Sequence, residues 1–273
     1  MTVAYQGVPG SYSFQAMQEY FGPQIKSLPT LLFSDVYDAV ERGDADFGIL
    51  PFENSTTGGV YEVFDLLATR NLFIVGERCI EVRHHLMCIP GSCLEQIRTV
   101  YSHQQALDQC SRFIRDHGLT PIPTTNTAAS AQWVRKEQDP TVAAIGSFQA
   151  AELNELDILA DDINNYTNNI TKFIILSREQ RLDPTADKIS LFFTTAHKPG
   201  ALYAALGTFA RADINLLKLI SRPARNTPWA YSYFVDVEGN ILDPVVSNVL
   251  KELEKASPMY KLLGNYPSHR LDV

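Results

Sequence analysis

No apolar run in these 273 residues approaches the roughly 20 that span a bilayer as a helix. The N-terminus, Met1, Thr2, Val3, Ala4 and Tyr5, lacks a charged leader and an apolar signal core, so a cytoplasmic protein is expected. Basic residues are outnumbered, 23 Lys and Arg against 31 Asp and Glu, for a net charge of -8. That balance supplies no basic face for phosphates and argues against a nucleic-acid partner; an anionic ligand must find local donors. The four cysteines have no CxxC spacing, and the His84 His85 pair has no companion cluster at zinc-site spacing. No metal and no cofactor are expected, and the thiols read as free and mostly packed as small apolar groups. No fixed-period repeat or low-complexity segment appears.

What the chain does have is 45% hydrophobic side chains, enough for a large core in two or three folding units. Short apolar runs alternate with helical patterns from the start: Val3 to Tyr5, a helix from about Ser13 to Phe21, a helix from Asp35 to Arg42, then Phe47 to Leu50 and a helix from Tyr61 to Thr69. Such alternation predicts an α/β fold with a mostly parallel sheet. Extended stretches at Leu72 to Glu81 and His84 to Ile89 precede a second round of alternation from Thr99 to Ile145. Asp157 to Ala160 and Thr171 to Leu176 are expected to return to the first lobe, giving two lobes joined by a double crossover with a cleft between them. Ser177 to Asp187 turns polar and reads as a linker. The last stretch reads strand, helix, strand, strand, helix, strand, which is the split βαβ order.

Several strand-to-helix turns carry small polar side chains. Gly7 to Ser13 reads by itself as a tight turn with Ser11 or Ser13 as N-cap. Pro51 to Gly59 places Glu53, Asn54 and three hydroxyls at the carboxyl end of a strand, where open α/β sheets bind ligands. Ser102 to Gln105, with His103, and Thr125 to Thr127, with Asn126, repeat the pattern in the second lobe, and Asn164 to Asn169 is almost wholly amide and hydroxyl before the apolar strand Ile170 to Leu176. Together these turns describe a pocket for carboxylates built from helix N-termini and neutral donors.

The same residues resemble the prephenate dehydratase family. Pro51 to Ser55 is similar to its P-I-E-N-S segment, Ser102 to Leu107 to S-H-P-Q-A-L, Thr127 to Ala131 to T-A-x-A-A, and Thr171 to Phe173 to T-R-F. Gly200, Ala201, Leu202 and Tyr203 resemble the G-A-L-V motif of ACT domains, and Ser221, Arg222 and Pro223 the end of E-S-R-P. The fold implied is a two-lobed catalytic domain like periplasmic binding proteins over 1–178, with lobe one about 1–78 plus 157–178 and lobe two about 79–156. A linker over 179–187 and a βαββαβ ACT regulatory domain over 188–273 follow. With no room for chorismate mutase helices before it, the chain is expected to be monofunctional.

The activity implied is decarboxylative dehydration of prephenate to phenylpyruvate. The resemblance assigns Thr171 to the departing hydroxyl and gives Glu53 a catalytic part, either as a neutral acid or as a support for Lys172 or a turn. Ser11, Asn54, Ser55, His103, Asn126, Thr127, Lys172 and Phe173 are its substrate-binding set. Gly200, Ala201, Leu202, Ser221, Arg222 and Pro223 are its regulatory set, with phenylalanine as allosteric ligand at an interface of a homodimer or homotetramer. Two positions depart from the pattern: Lys172 stands for arginine, offering a point charge in place of a planar fork, and Ile220 stands for glutamate, which is expected to weaken or retune phenylalanine control. Arogenate dehydratase and a non-catalytic amino-acid sensor are the alternatives.

Overall fold

A computed structural model describes residues 1–223 and 231–271. Asp272 and Val273, which close the span expected for the C-terminal domain, lie outside the described residues. In chain order the first part reads β1 (Thr2–Gln6), α1 (Tyr12–Phe21), β2 (Lys26–Thr30), α2 (Phe33–Arg42), β3 (Phe47–Asn54), the short β4 (Gly58–Gly59), α3 (Tyr61–Thr69), β5 (Phe73–Glu81) and β6 (His85–Cys88). Next come β7 (Thr99–His103), α4 (Gln104–Gln109), α5 (Ser111–Asp116), β8 (Thr120–Thr124), α6 (Thr127–Glu137), β9 (Val142–Gly146), α7 (Phe148–Leu153), β10 (Asp157–Ala160) and β11 (Ile170–Ser177). The chain finishes with β12 (Lys188–Thr194), α8 (Ala201–Arg211), β13 (Leu216–Pro223), β14 (Tyr231–Glu238), α9 (Pro244–Ala256) and β15 (Tyr260–Tyr266). No described helix is long and apolar enough to cross a membrane.

Three sheets organise these elements. The first has the order β2-β1-β3-β11-β5 with β4 on β3, the second β10-β6-β9-β7-β8, and the third β13-β14-β12-β15. In the second sheet β7 pairs parallel with β8 and β9, while β6 and β10 add antiparallel pairs. Asp157–Ala160, expected to return to the first lobe, is therefore the edge strand of the second sheet. The return to the first sheet is made by β11 alone. A strand between α1 and α2 also escaped the sequence reading: β2, at a sheet edge, carries Pro29 and has no buried residue to mark it.

By compactness the chain divides into two units. One comprises 1–36, 49–60 and 79–173, the other 37–48, 61–78 and 174–273. In the first, β9 (Val142, Ala143, Ala144, Ile145, Gly146) is buried at every position, as a strand covered on both faces must be. Leu86, Val100, Leu107, Ile114 and Ile145 pack on one side of that sheet and Met87, Ala128, Ala131 and Val134 on the other. Each fully buried aliphatic side chain contributes roughly 1.5–3 kcal/mol. Turns are fixed by caps: Ser11, Asn126 and Ser147 each accept a backbone N–H from the first turn of α1, α6 and α7. Gly10 lets the first of these turns press on α7, since a Cβ there would lie 2.9 Å from Ala150 Cα.

In the second unit, the four-stranded antiparallel sheet packs Ile189, Leu191, Phe193, Val235 and Val237 against Phe209, Val249 and Leu253 of its two helices. Its other face is polar at the centre and buried. Lys188 Nζ meets Glu77 Oε2 at 2.7 Å and Asp236 Oδ2 at 3.2 Å, with Ser190 bonding both Asp236 and Tyr266. Beside it Gly264 runs against β5, where a Cβ would sit 2.0 Å from the Ile74 carbonyl oxygen. Backbone cannot yield as a flexible side chain does, so Gly264→Ala is expected to lower stability by about 3 kcal/mol. Chemical denaturation reads this as a lower midpoint with an unchanged slope.

Candidate active site

Asn54, the last residue of β3, is buried and organises everything around it. Its Oδ1 accepts from the backbone N–H groups of Thr56 and Thr57 at 3.0 and 3.1 Å and from their hydroxyls at 2.6 and 3.2 Å. Because backbone N–H groups can only donate, they settle which end of the amide is oxygen. Nδ2 is then the donor, and it gives one proton to Asn169 Oδ1 at 2.7 Å and one to Thr171 Oγ1 at 2.9 Å. Thr171 Oγ1 is thus met as an acceptor by Asn54.

The mouth of β11 is stapled to the same loop. Ser55 N–H donates to the Ile170 carbonyl at 2.8 Å, Ile170 N–H to Ser55 Oγ at 2.9 Å, and Ser55 Oγ to the Asn168 carbonyl at 2.7 Å. Glutamines of α4 complete the shell: Gln105 Nε2 donates to Thr57 Oγ1 at 3.1 Å and Gln109 Nε2 to Thr56 Oγ1 at 3.0 Å. Gln109 Oε1 accepts from Asn169 Nδ2 at 3.0 Å. A cavity of about 480 Å³ adjoins this shell, lined by Thr56, Thr57, His103, Gln105, Asp108, Gln109 and Asn169 among others, with Asn54 and Thr171 behind that lining. Its wall carries neutral amides and hydroxyls together with the His103 ring and the Asp108 carboxylate.

The expected residues divide by placement. Asn54 bonds Thr171 directly, Ser55 bonds the adjoining Ile170, and His103 lines the neighbouring cavity while its Nδ1 accepts Gln105 N–H as an N-cap. Asn54 and Ser55, however, already use their donors within the protein, so both shape the site. Asn126 and Ser11 are likewise occupied as caps, accepting from Ala129 N–H at 2.7 Å and Phe14 N–H at 3.3 Å. Thr127 begins α6, and Phe173 is a core residue at 2% exposure. Strand pleating sends Glu53 and Lys172 to the face opposite Asn54 and Thr171, because each is the sequence neighbour of one of them.

Sequence reasoning missed Gln109, Asn169 and His84. The amide-rich run before β11 marked Asn169 only collectively, and nothing in a helix pattern distinguishes Gln109 from a solvated glutamine. Of the regulatory set, Gly200, Ala201 and Leu202 line a cavity of about 220 Å³ with Lys198, Tyr231 and Tyr233. Gly200, at φ 79, turns the chain into α8. Ser221 and Pro223 pair across from Tyr233 and Tyr231 and share that face. Arg222 turns to the other face, 3.3 Å from Asp65 and 4.5 Å over the Tyr61 ring, and Ile220 opposes Phe234 there. Ile220 therefore does not face the cavity through which it was expected to alter phenylalanine control.

A family model described as prephenate dehydratase matches residues 3–181, and the ACT domain model matches residues 189–255. The chain is 38% identical to arogenate dehydratase/prephenate dehydratase 2, chloroplastic, of Arabidopsis thaliana, over 97% of this chain and 72% of that one. It resembles the solved prephenate dehydratase of Arthrobacter aurescens in complex with L-Phe, at 30% identity and TM-score 0.90, over 98% of this chain and 90% of that one. A structure described as a novel type of quorum quenching acylase is also similar, at 36% identity and TM-score 0.90 over 98% of both chains. With an α/β fold, a hydroxyl presented by Asn54 and a C-terminal ACT domain, this chain belongs to the prephenate dehydratase family and is a dehydratase-type lyase.

Proposed function

We propose that the protein converts prephenate to phenylpyruvate, carbon dioxide and water, with Thr171 acting on the departing hydroxyl. The observation that carries this reading is the polarity of one hydrogen bond: Asn54 Nδ2 donates to Thr171 Oγ1, so the threonine proton is left for the substrate. In the reaction the bond from the ring to its carboxylate breaks, and that electron pair enters the ring. The carbon–oxygen bond opposite then breaks, and the hydroxyl leaves as water after gaining one proton. Aromatisation drives the step, so the protein supplies placement and stabilisation of the leaving oxygen. Threonine is a weak acid, and its contribution is an oriented hydrogen bond that strengthens as charge develops on that oxygen. Glu53 and Lys172, on the opposite face, are assigned to supporting the strand ends.

Purified protein incubated with prephenate is expected to yield phenylpyruvate, read by its absorbance in alkali. Phenylalanine formed from arogenate with no phenylpyruvate from prephenate would move the assignment to the amino substrate. Activity on neither would leave an amino-acid sensor. For the acylase likeness, the group that meets Thr171 Oγ1 is the Asn54 amide, which is not a base, whereas amide hydrolysis by a hydroxyl needs one.

Control is assigned to the cavity at the start of α8, where Ala201 N–H is taken by the Lys198 carbonyl but the next N–H groups, of Leu202 and Tyr203, suit a carboxylate, and Leu202 and the tyrosines suit an aromatic ring. A ligand there acts through the arrangement of subunits, so a homo-oligomer is part of this reading. Edge strand β13, with Leu217 and Leu219 at 38% and 40% exposure, supports it. Phenylalanine at tenfold its dissociation constant is expected to raise the melting temperature by about 3 °C. Leu202→Asp is expected to abolish that shift; an equal shift in the variant would place the ligand elsewhere.

A further inference from the structure

The side chains around Asn54 close a ring in which every bond runs the same way. Asn54 Nδ2 donates to Asn169 Oδ1 at 2.7 Å, Asn169 Nδ2 to Gln109 Oε1 at 3.0 Å, Gln109 Nε2 to Thr56 Oγ1 at 3.0 Å, and Thr56 Oγ1 back to Asn54 Oδ1 at 2.6 Å. Direction is imposed by the backbone N–H groups on Asn54 Oδ1 and propagates around the circle. It also reaches one residue outside the circle. His84 Nε2 lies 3.0 Å from Gln109 Oε1, an atom that only accepts, so the imidazole carries its proton on Nε2. Nδ1 is then bare, 3.1 Å from the Tyr12 hydroxyl, whose single proton is shared with the Arg83 carbonyl.

We propose that His84 is a positioning residue for Thr171, holding the Gln109 amide in the one orientation that lets the ring close on Asn54. His84 and Asn169 donate to the same oxygen of Gln109. A flipped Gln109 would set N–H against N–H at both contacts and would draw the Thr56 proton away from Asn54. Without His84, one of these two barriers to the flip is gone, and Asn54 presents Thr171 less accurately. His84 suits the task because it is 2% exposed and neutral at pH 7, burial having pushed its imidazole down to about 4. Its backbone is held by Asn164, whose Oδ1 accepts His84 N–H at 2.7 Å. This role rests on the reading that Thr171 acts on the leaving hydroxyl.

The test is steady-state kinetics on prephenate with three single variants and one double. His84→Leu is expected to lower kcat about tenfold with KM changed less than about twofold, because misplacement affects the transition state more than binding. His84→Gln, which keeps a donor toward Gln109, is expected to recover to within about threefold of wild type. Gln109→Glu, which lacks the donor to Thr56, is expected to lose at least as much as His84→Leu, and adding His84→Leu to it to cost nothing more. Melting temperatures of all four proteins separate misfolding from misplacement. Independently of turnover, nitrogen-15 shifts of the His84 ring in the resting protein are expected to show the Nε2–H form. The proposal is overturned by full kcat in His84→Leu, by equal losses in His84→Leu and His84→Gln, by additive losses in the double variant, or by an Nδ1–H ring. A wild-type protein inactive on prephenate and arogenate would overturn the functional reading and this role together, while the ring tautomer would still report the circle of bonds.

Discussion

Thr171→Ala is expected to lower kcat about a thousandfold while KM stays within about threefold. The magnitude follows from removing the hydroxyl proposed to act on the leaving oxygen, a loss of about 4 kcal/mol in transition-state stabilisation. Binding is spared because the amides of Gln105, Gln109 and Asn169 remain. Stability is expected to change by no more than about 1 kcal/mol, since Asn54 Nδ2 keeps its bond to Asn169 when that to Thr171 is lost. Thr171→Ser, which restores the hydroxyl without the methyl that restrains its rotamer, is expected to return to within about tenfold of wild type. Rapid-mixing and steady-state kinetics on the purified variants check both numbers. A Thr171→Ala protein with kcat within threefold of wild type would remove the residue from the mechanism.

Lys188→Met is expected to destabilise the protein by about 3–5 kcal/mol, a fall of roughly 10 °C or more in melting temperature. Lys188, Glu77 and Asp236 are 3%, 3% and 4% exposed, and the ammonium lies 2.7 and 3.2 Å from the two carboxylates. Removing it takes from two buried carboxylates the ammonium that both of them meet. Burial pushes the Lys188 ammonium down, but the neighbouring Tyr266, Asp236 and Glu77 charges push it further up, so its net shift is upward. A raised value means that its contribution is complete below the unfolded lysine range, about 10.4, and is lost only as pH rises through the folded value. The difference between wild type and Lys188→Met is therefore expected to be flat from about pH 6 to 9. Replacing all three residues by apolar ones of similar volume is expected to restore most of the loss, as it removes the stranded charges as well. A single-variant loss below about 1 kcal/mol would show that water reaches the cluster.

Much of the site was legible because its chemistry is local in sequence. Asn54 stands in a loop of hydroxyls after a buried strand, and Thr171 at the mouth of another, so proximity of the two follows once the strands are neighbours. What each does was not legible. Asn54, Ser55, Ser11 and Asn126 read as carboxylate donors because a sequence shows how many protons a side chain has, not where they go. In the fold those of Asn54 and Ser55 are committed to Asn169, Thr171 and Asn168, and the side-chain oxygens of Ser11 and Asn126 cap helices. Glu53 read as a neutral acid or a support for Lys172 or a turn, and Lys172 as a substrate-binding charge, whereas pleating places both on the face opposite Asn54 and Thr171. Gln109 lies one helical turn past Gln105, outside the motif that drew attention to α4, and its contacts are with residues 25, 53 and 60 positions away.

The fold followed the same rule. Buried strands such as β9 and β11 declared themselves as apolar runs, and the C-terminal βαββαβ order was complete in the pattern. Two edge strands were harder: one was missed and one was read as a strand but assigned to the wrong sheet. β2 is proline-bearing and largely uncovered, and β10 has no periodicity that distinguishes pairing with β6 from pairing in the first sheet. At Cys110 α4 ends and α5 begins without any Gly or Pro to announce it.

A crystal structure with a non-reactive prephenate analogue that lacks the ring carboxylate tests the central claim most directly. The account predicts the ring hydroxyl oxygen 2.5–3.0 Å from Thr171 Oγ1, with Asn54 Nδ2 still donating to the threonine from the other side. An analogue bound with its hydroxyl more than about 4 Å from Thr171, and met by another acid, would contradict it.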